Sequence, residues 1–480
     1  MGPHAPGITY KFILGCSAAF VINAFAASAP FTVQSGLFDQ TDTAALGLAT
    51  AAGAETFTIF APSANTDHYS NGVVLVNFKG KFYCQWQSSA MHEDSSDTWV
   101  AYSRSADGKT WESPRSIIKA KGGTHYTSGG WWVNGDTLIA YVNAWPDSLT
   151  AGGLAYYAAS TDGETWSALR PVLMKDGSAM QGIIEQDPHR LSTGRIAGAA
   201  HFLPGLIANP VYTDDTSGVR GWVKATFTNL AHSGTNSREL EPSLYERADG
   251  NIVMIFRDQN TTYTKLASMS GDNGASWTSA VPTDMPDSRA KQSAGNLPDG
   301  TAYFVSNPAD TKRRMPLTVT LSADGRTFTK AYNLRTGKDL QAQRYAGKYK
   351  TLGYSYPKAI VSGNYLYVGY STNKEDVECT RIPLKSIELI DPTKAQQTTV
   401  LRRGAAEAEE FSFIPVFKDK LVIPGGGAFR YSIYSTSGKL LETGSGNGAT
   451  AVGGNLSAGF YLLKISGNGA PKATGIFKTE

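Results

Sequence analysis

The sequence of 480 residues has few charges and few cysteines. Charged residues make up only 18%, and 44 basic against 41 acidic residues leave a formal net charge of +3. This balance gives no case for nucleic acid or an anionic membrane surface as a partner. Of three cysteines, Cys16 is near the N-terminus, and Cys84 and Cys379 are 295 positions apart. That spacing fits neither a disulfide framework nor a zinc site, so we expect two buried free thiols.

Long apolar runs are missing beyond the N-terminus, which predicts no membrane span in the mature chain. At the N-terminus, Lys11 precedes an apolar stretch at residues 12–25, and small residues follow at 26–29. A basic residue, a short apolar stretch and a zone of small residues are typical of a secretory signal peptide. We predict a signal peptide at residues 1–26 and a secreted or cell-surface protein. An N-terminal membrane anchor is the alternative.

Glycine and aromatic residues are plentiful and recur in a pattern. The 50 glycines and 11% aromatic residues favour strands and tight turns. A Ser-x-Asp-Gly-x-Thr-Trp pattern, or a close variant, occupies residues 105–111, 160–166, 270–277 and 322–328, and a degenerate copy begins at residue 213. The aspartates of the five copies are 55, 53, 57 and 52 residues apart: Asp107, Asp162, Asp215, Asp272 and Asp324.

Each copy of the pattern predicts a hairpin turn. Asp and Ser side chains cap backbone N–H groups, Gly supplies positive φ, and the closing aromatic ring packs under the turn. About 54 residues per unit fits a four-stranded propeller blade. We therefore predict an all-β chain with a six-bladed β-propeller at residues 40–396, a linker at 397–412 and a small C-terminal β-sandwich at 413–480. One blade would lack the pattern.

The repeats resemble the Asp boxes of the sialidase superfamily of glycoside hydrolases, and the resemblance covers about 350 residues. Glu241 begins a Glu-Pro-Ser segment that leads through Asp249-Gly250 to Arg257, 16 positions later, as in a sialidase segment. Arg314 and the segment Tyr354-Ser355 follow in the family's order. The resemblance implies Tyr354 as the nucleophile with Tyr349 and Tyr356 as competitors, Glu241 as its base, Arg257 and Arg314 as a carboxylate clamp, and no metal or cofactor.

The chemistry of these residues agrees with an acidic glycan as the substrate. A guanidinium group binds a carboxylate through two parallel hydrogen bonds. A tyrosine, with a pKa of about 10, needs a neighbouring carboxylate to accept its proton before it attacks. A neutral nucleophile also suits a substrate with its own negative charge, because an anionic nucleophile would be repelled.

The sequence departs from the sialidase pattern at one position and leaves the general acid of that pattern undecided. Ser70 stands where sialidases have the first arginine of the clamp. The general acid falls among Glu93, Asp94 and Asp97, of which we choose Asp94. The segments 287–293 and 373–376 offer further polar groups that the sequence does not place.

The missing arginine keeps two other functions open. A propeller lyase that cleaves uronic-acid glycans of the ulvan or rhamnose–glucuronate type by β-elimination would use histidines, and His68, His125, His189 and His201 are suitable; we include His68 and His125 as substrate-binding candidates. A non-catalytic glycan-binding propeller is the other function.

The last part of the chain has a composition of its own. Alternating apolar residues at 429–434 and 460–465, with glycine turns between them, predict short strands. Their order resembles the C-terminal sorting domain of bacterial proteins exported by type IX secretion, which implies the bacterial secretion machinery as a partner. A carbohydrate-binding or spacer sandwich is the alternative.

Overall fold

The computed structural model describes residues 28–390, except 150 and 187, and residues 416–479, except 424–427, 436–438 and 467–471. The predicted signal peptide at 1–26 and linker at 397–412 lie outside the described residues. Within these ranges the fold is all-β, and the one helix is a 3-10 turn at Leu384–Ser386. No helix among the described residues has the length and apolarity that a membrane crossing requires.

Six antiparallel sheets follow one another along the chain, after the short strands β1 (Thr32–Val33) and β2 (Glu55–Phe60). Sheets 1 and 2 contain β3 (Tyr69–Phe78), β4 (Lys81–Ser89), β5 (Trp99–Ser105) and β6 (Arg115–Ile118), then β7 (Thr124–Asn134), β8 (Thr137–Pro146), β9 (Leu154–Ser160) and β10 (Arg170–Pro171). Sheets 3 and 4 contain β11 (Gly182–Ile184), β12 (His189–Arg190), β13 (Ile196–Phe202), β14 (Ile207–Thr213) and β15 (Val223–Lys224), then β16 (Glu239–Glu246), β17 (Ile252–Asp258), β18 (Thr264–Ser270) and β19 (Val281–Pro286). Sheets 5 and 6 contain β20 (Ser293–Asn296), β21 (Ala302–Ser306), β22 (Leu317–Ser322) and, past β23 (Thr327–Phe328), β24 (Lys330–Arg335), then β25 (Tyr354–Ser362), β26 (Tyr365–Thr372), β27 (Asp376–Pro383) and β2.

The sheets form a ring of contacts. Strands β3, β7, β16, β20 and β25, each the first of its sheet, contact the sheets on either side, and β25 contacts β3. Strand β2 from the beginning of the region pairs with β27 from its end, so sheet 6 joins the two ends. Strand β23 pairs with β1 in parallel, which ties the N-terminal segment to sheet 5.

The apolar core is divided among the interfaces between neighbouring sheets. Each interface has its own cluster of buried side chains, such as Trp132 and Tyr141 of sheet 2 against Phe202 of sheet 3. A strand between two such interfaces is buried on both faces, which explains the continuous apolar run in β17. Cys84 and Cys379 lie in the cluster between sheets 1 and 6, both free and buried, as the sequence predicts.

The Asp-box pattern forms the predicted turns in sheets 1 to 5, each after the strand that is third in the hydrogen-bonded order of its sheet. Asp107 Oδ1 accepts hydrogen bonds of 2.8 Å from the backbone N–H groups of Lys109 and Thr110, and Ser105 Oγ accepts one from Gly108 N–H. These backbone hydrogen bonds lower the pKa of Asp107 to about 2. Asp162 and Asp324 make the same contacts. The aspartates of the pattern therefore serve the turns.

The C-terminal region contains two further sheets. One has five strands in the order β28-β34-β33-β30-β31 and the other pairs β29 with β32, with the bounds β28 (Val416–Phe417), β29 (Leu421–Ile423), β30 (Ala428–Ser435), β31 (Leu440–Asn447), β32 (Thr450–Val452), β33 (Gly459–Ser466) and β34 (Lys472–Lys478). Their buried side chains, among them Leu421, Ile433 and Leu463, form a cluster of their own.

Candidate active site

The first strands of four sheets carry a β-bulge at which the backbone adopts positive φ. The bulges lie in β3, β7, β16 and β25, and their positive-φ residues are Gly72, Gly130, Glu241 and Tyr356. Glu241 and Tyr356, at φ 52° and 59°, are the two that are not glycine. A bulge re-aims a side chain relative to its strand, and non-glycine residues at positive φ concentrate at functional sites. These two positions therefore mark the candidate active site.

Glu241 and Tyr356 meet between sheets 4 and 6. The Tyr356 hydroxyl donates a short hydrogen bond to Glu241 Oε1. Arg257, from the neighbouring strand β17, donates through Nη1 to both carboxylate oxygens of Glu241 at 3.1 Å and lies 3.4 Å from the Tyr356 hydroxyl. Glu241 is 6% exposed, so this ion pair is shielded from water. The phenol, the carboxylate and the guanidinium form one connected group.

The electrostatics keep Glu241 ionised and Tyr356 protonated. Burial acts to raise the pKa of Glu241, but Arg257 and Lys291 outweigh it and hold that pKa well below its usual range. Burial and the Glu241 charge raise the pKa of Tyr356 well above its usual value. A charged acceptor thus faces a neutral donor, which is the arrangement that a tyrosine nucleophile with a carboxylate base requires.

Two buried side chains fix the backbone of Glu241. His201 Nε2 accepts the Glu241 N–H at 3.1 Å, and Gln292 Nε2 donates to the Glu241 carbonyl oxygen at 2.8 Å. Burial lowers the pKa of His201, so its ring is neutral at pH 7. Because Nε2 is the acceptor, the ring hydrogen lies on Nδ1. These contacts hold Glu241 in its left-handed conformation.

Three more cations lie near the ring of Tyr356. The distances to the ring centroid are 5.0 Å from Arg314 Cζ, 5.5 Å from Lys291 Nζ and 5.7 Å from Lys374 Nζ. The Arg314 guanidinium makes one hydrogen bond to the described residues, from Nη1 to Ser355 Oγ at 3.0 Å, although Arg314 is only 7% exposed. Lys291 and Lys374 belong to the two polar segments that the sequence could not place. With Arg257, they make the surroundings of Tyr356 suited to an anion.

Tyr354 does not meet Glu241, in contrast to the sequence-based expectation. Its hydroxyl donates to the Thr336 carbonyl oxygen at 2.9 Å, and its ring packs in the core between sheets 5 and 6. In a regular strand Tyr354 and Tyr356 would share a face, but the bulge between Ser355 and Lys358 separates them. The competitor Tyr356 takes the place beside Glu241, whereas Tyr349 is 69% exposed.

Asp94 lies in the loop between β4 and β5, where the charge of Lys374 acts on its carboxyl group. Desolvation and the charge of Glu93 raise the pKa of its carboxyl group, and Lys374 opposes that rise. A raised pKa is what a general acid requires near neutral pH. The direction of this shift agrees with the role that the sequence predicts for Asp94, and that role stays a prediction.

The two histidines chosen as substrate-binding candidates make their contacts away from this cluster. His68 Nε2 lies 3.0 Å from the Ser63 carbonyl oxygen, and its ring stacks on Tyr345 at 3.9 Å. The His125 ring is parallel to Trp145 at 6.1 Å. No contact of either ring with Tyr356 or Glu241 is found among the described residues.

A polar cavity of about 180 Å³ adjoins the site through Gln259, whose Oε1 accepts a hydrogen bond from Arg257 Nη2 at 3.2 Å. Its lining includes His232, Asn236 and Arg238. Within the described ranges, no group of three or more His, Cys, Asp or Glu side chains is arranged to hold a metal ion.

The family model described as BNR repeat-like domain matches residues 80–368, which is more than half of the 480 residues. The chain therefore belongs to this family, and its fold is a β-propeller of the sialidase type. The sequence matches no curated protein.

Solved structures, several of them sialidases or trans-sialidases, share the fold at low identity. A protein of unknown function from Dyadobacter fermentans has a TM-score of 0.53 and 16% identity over 69% of this chain and 99% of that chain. The intramolecular trans-sialidase from Ruminococcus gnavus has a TM-score of 0.51 and 14% identity over 69% and 98%. A mutant of Trypanosoma rangeli sialidase that displays trans-sialidase activity has a TM-score of 0.50 and 12% identity over 89% of each chain. Identity this low establishes the fold alone.

Proposed function

We propose that this protein is a secreted sialidase-like glycoside hydrolase that releases a terminal acidic sugar from an extracellular glycan. The observation that carries the proposal is the hydrogen bond from Tyr356 to Glu241, made by two strained residues at opposed bulges. A protein that only binds glycans has no use for a carboxylate held against a tyrosine hydroxyl. The cations near Tyr356 add the charge that an acidic sugar needs.

In the proposed reaction, the Tyr356 oxygen attacks the anomeric carbon and its proton passes to Glu241. The glycosidic bond breaks, and the leaving oxygen takes a proton from Asp94. Water then attacks the anomeric carbon of the tyrosyl intermediate and gives a proton to Asp94, while Tyr356 leaves and recovers its proton from Glu241. Both carboxyl groups return to their starting states.

Arg314 and Arg257 would bind the carboxylate of the sugar. The buried Arg314 guanidinium makes one hydrogen bond to the described residues, to Ser355. Its other N–H donors make none to those residues, so they can bind the carboxylate of a substrate. Within the part of the chain that the structure describes, Arg257 Nη2 is bound to the neutral amide oxygen of Gln259, a partner that a carboxylate can displace.

We further propose that the six sheets are the blades of a six-bladed propeller, closed by β2 in sheet 6. Residues 413–480 would form a β-sandwich that acts as a sorting or accessory domain and engages the bacterial secretion machinery. Export would begin with removal of residues 1–26 as a signal peptide.

A panel of glycans tests the proposed activity: sialosides, uronate-containing plant and algal polymers, and sulfated glycans. We expect one acidic terminal sugar to be released with the mass of an added water. Glu241→Gln should lower the rate about 10²-fold or more, whereas Glu246→Gln on the same strand, whose carboxylate binds Ser192, should not.

Two outcomes would contradict this function. Products that lack the added water and absorb in the ultraviolet would indicate β-elimination, as in a uronate lyase. Turnover by Glu241→Gln at the rate of the unchanged enzyme would remove the carboxylate base from the mechanism.

A further inference from the structure

Lys374 reaches Tyr356 from an unusual position, the tip of the hairpin between β26 and β27. Asn373 and Lys374 both have positive φ, at 57° and 54°, a conformation that hairpin turns normally assign to Asn and Gly. Hairpin tips are normally exposed, yet Lys374 is only 2% exposed. Placing a buried ammonium at a strained turn is costly, so a role for that charge is the simplest reason to keep it.

The Lys374 ammonium has one carboxylate partner among the described residues. Its Nζ lies 2.5 Å from Glu93 Oε2, and Asn71 Nδ2 holds the other oxygen of Glu93 at 3.2 Å. The rings of Tyr69 and Tyr356 lie 5.8 Å and 5.7 Å from Nζ. An ammonium has three donors. Among the described residues, Glu93 is the one acid that forms an ion pair with Lys374.

Ser70 lies beside Lys374, at the position where the sialidase pattern has the first arginine of its carboxylate clamp. The Ser70 N–H donates to the Lys374 carbonyl oxygen at 2.9 Å. The Ser70 residue is fully buried, and its Oγ has no hydrogen-bond partner among the described residues. A buried hydroxyl without a partner is rare. The position of the absent arginine thus holds a hydroxyl without a described partner, on a residue whose backbone is bonded to that of Lys374.

We propose that Lys374 is the third cation of the substrate site and, with the Ser70 hydroxyl, binds the carboxylate of the acidic sugar between itself and Arg314. This inference rests on the proposed function, because it names the group that replaces the absent arginine. It makes Lys374 a determinant of specificity for an anionic sugar over a neutral one.

A lysine in this role makes binding depend on pH in a way that an arginine would not. Burial lowers the pKa of Lys374 to about 8, and Glu93 opposes part of that effect. The other charged or titratable groups that face Lys374 are Tyr69, Tyr356, Arg314, Glu241 and Asp94. Because the charged form of Lys374 is lost as the pH rises through about 8, affinity for a carboxylate should fall there.

Calorimetric binding tests the inference without turnover. The probes are free sialic acid and glucuronic acid, and the methyl ester of each, measured at pH 6.5 and pH 9. The variants are Lys374→Gln, Lys374→Arg and, as a control, Lys350→Gln, which removes another buried lysine paired with a nearby acid, Glu375. Circular dichroism and a thermal scan establish that each variant is folded.

We expect Lys374→Gln to weaken binding of the acid roughly 10- to 100-fold, the range for a hydrogen bond between charged groups, and to leave the ester unchanged. Lys374→Arg should keep most of the affinity and bind the acid about equally at pH 6.5 and pH 9, whereas the unchanged protein should bind it more weakly at pH 9. Lys350→Gln should affect the melting temperature alone.

The inference is overturned if folded Lys374→Gln binds the acid as tightly as the unchanged protein, or if the unchanged protein binds neither acid. If Lys374→Gln does not fold, equal binding of the acid by the Arg variant and the unchanged protein at pH 9 overturns it. Binding of the acid through Lys374 without hydrolysis of any glycoside would leave the inference standing and contradict the proposed function instead.

Discussion

The Asp-box turns and the candidate active site both hold carboxylates against hydrogen-bond donors, but the partners are separated by very different distances along the chain. The Asp107 carboxylate is satisfied by N–H groups two and three residues away. Glu241 meets Tyr356 115 positions away, and Lys374 meets Glu93 281 positions away. The turns are local structures repeated five times, whereas the candidate site forms only where separate sheets come together.

The two regions also use positive φ differently. In the Asp boxes the residue is mostly glycine, as at Gly108 and Gly163, which adopts this conformation without strain. In the site the residues are Glu241, Tyr356 and Lys374, each with a side chain that the conformation opposes. Strain of about 1–3 kcal/mol per residue persists only where the surroundings impose it. The turns therefore support the fold, whereas the positive-φ positions of the second group bring together the side chains of the proposed site.

Of the changes predicted for the two regions, we expect the largest from removing the hydroxyl of Tyr356, at the bulge in β25. Tyr356→Phe should lower kcat by about three orders of magnitude or more, because the nucleophile is gone. Tyr354→Phe, two positions away, removes a hydroxyl that binds Thr336 in the core, so it should leave kcat within a few-fold while lowering the melting temperature. Steady-state kinetics on the glycan cleaved by the unchanged enzyme measure both.

The reverse result, with Tyr354→Phe inactive and Tyr356→Phe active, would return the nucleophile to the position that the sequence resemblance indicated. Equal activity in the two variants would remove both tyrosines from the mechanism.

Much of the fold could be predicted from the sequence because its repeated signal is local. Each Asp box places Asp, Gly and an aromatic residue within a few positions of one another, so spacing alone predicts the turns. Their recurrence gives the period of the sheets, and five copies precede a sixth sheet without one. The resemblance named both Glu241 and Arg257 as site residues, and the structure brings them together on adjacent strands of one sheet.

The remainder of the site could not be predicted, because it depends on bulges and on contacts between sheets. Strand alternation places Tyr354 and Tyr356 on one face, and the sequence does not show the register shift that separates them. Lys291 and Lys374 were visible only as members of polar segments. Lys374 lies in a hairpin of the sheet that contains Tyr356, and Lys291 lies in the connection between sheets 4 and 5, so neither approach to Tyr356 can be read from strand alternation. His201 was visible as a histidine, but not as the acceptor for the Glu241 N–H.

A substitution in an Asp-box turn should have a smaller effect, on stability and not on activity. Asp324 Oδ1 accepts hydrogen bonds from Arg326 N–H at 2.8 Å and Thr327 N–H at 3.2 Å, so Asp324→Ala leaves these donors to water. We expect a loss of about 1 kcal/mol in the free energy of unfolding, or about 2–4 °C in melting temperature, with kcat unchanged. Asp310→Ala, in an exposed loop, is the matched control. A melting temperature of Asp324→Ala equal to that of the control would mean that the turn does not depend on its carboxylate.

The smallest effect concerns the pH dependence of the same turns. The pKa of Asp107 is held at about 2, below its usual 3.8, by hydrogen bonds from backbone N–H groups of Thr110 and Lys109. A carboxyl group with a depressed pKa in the folded state stabilises the protein fully above its unfolded pKa, and this contribution is lost as the pH falls through the folded value. Asp107→Asn should therefore be less stable than the unchanged protein at pH 6, and the difference should shrink between about pH 4 and pH 2. Urea unfolding of both proteins across that range measures it, and a difference that stays constant down to pH 2 would show that the turn binds the charged and neutral forms of Asp107 equally well.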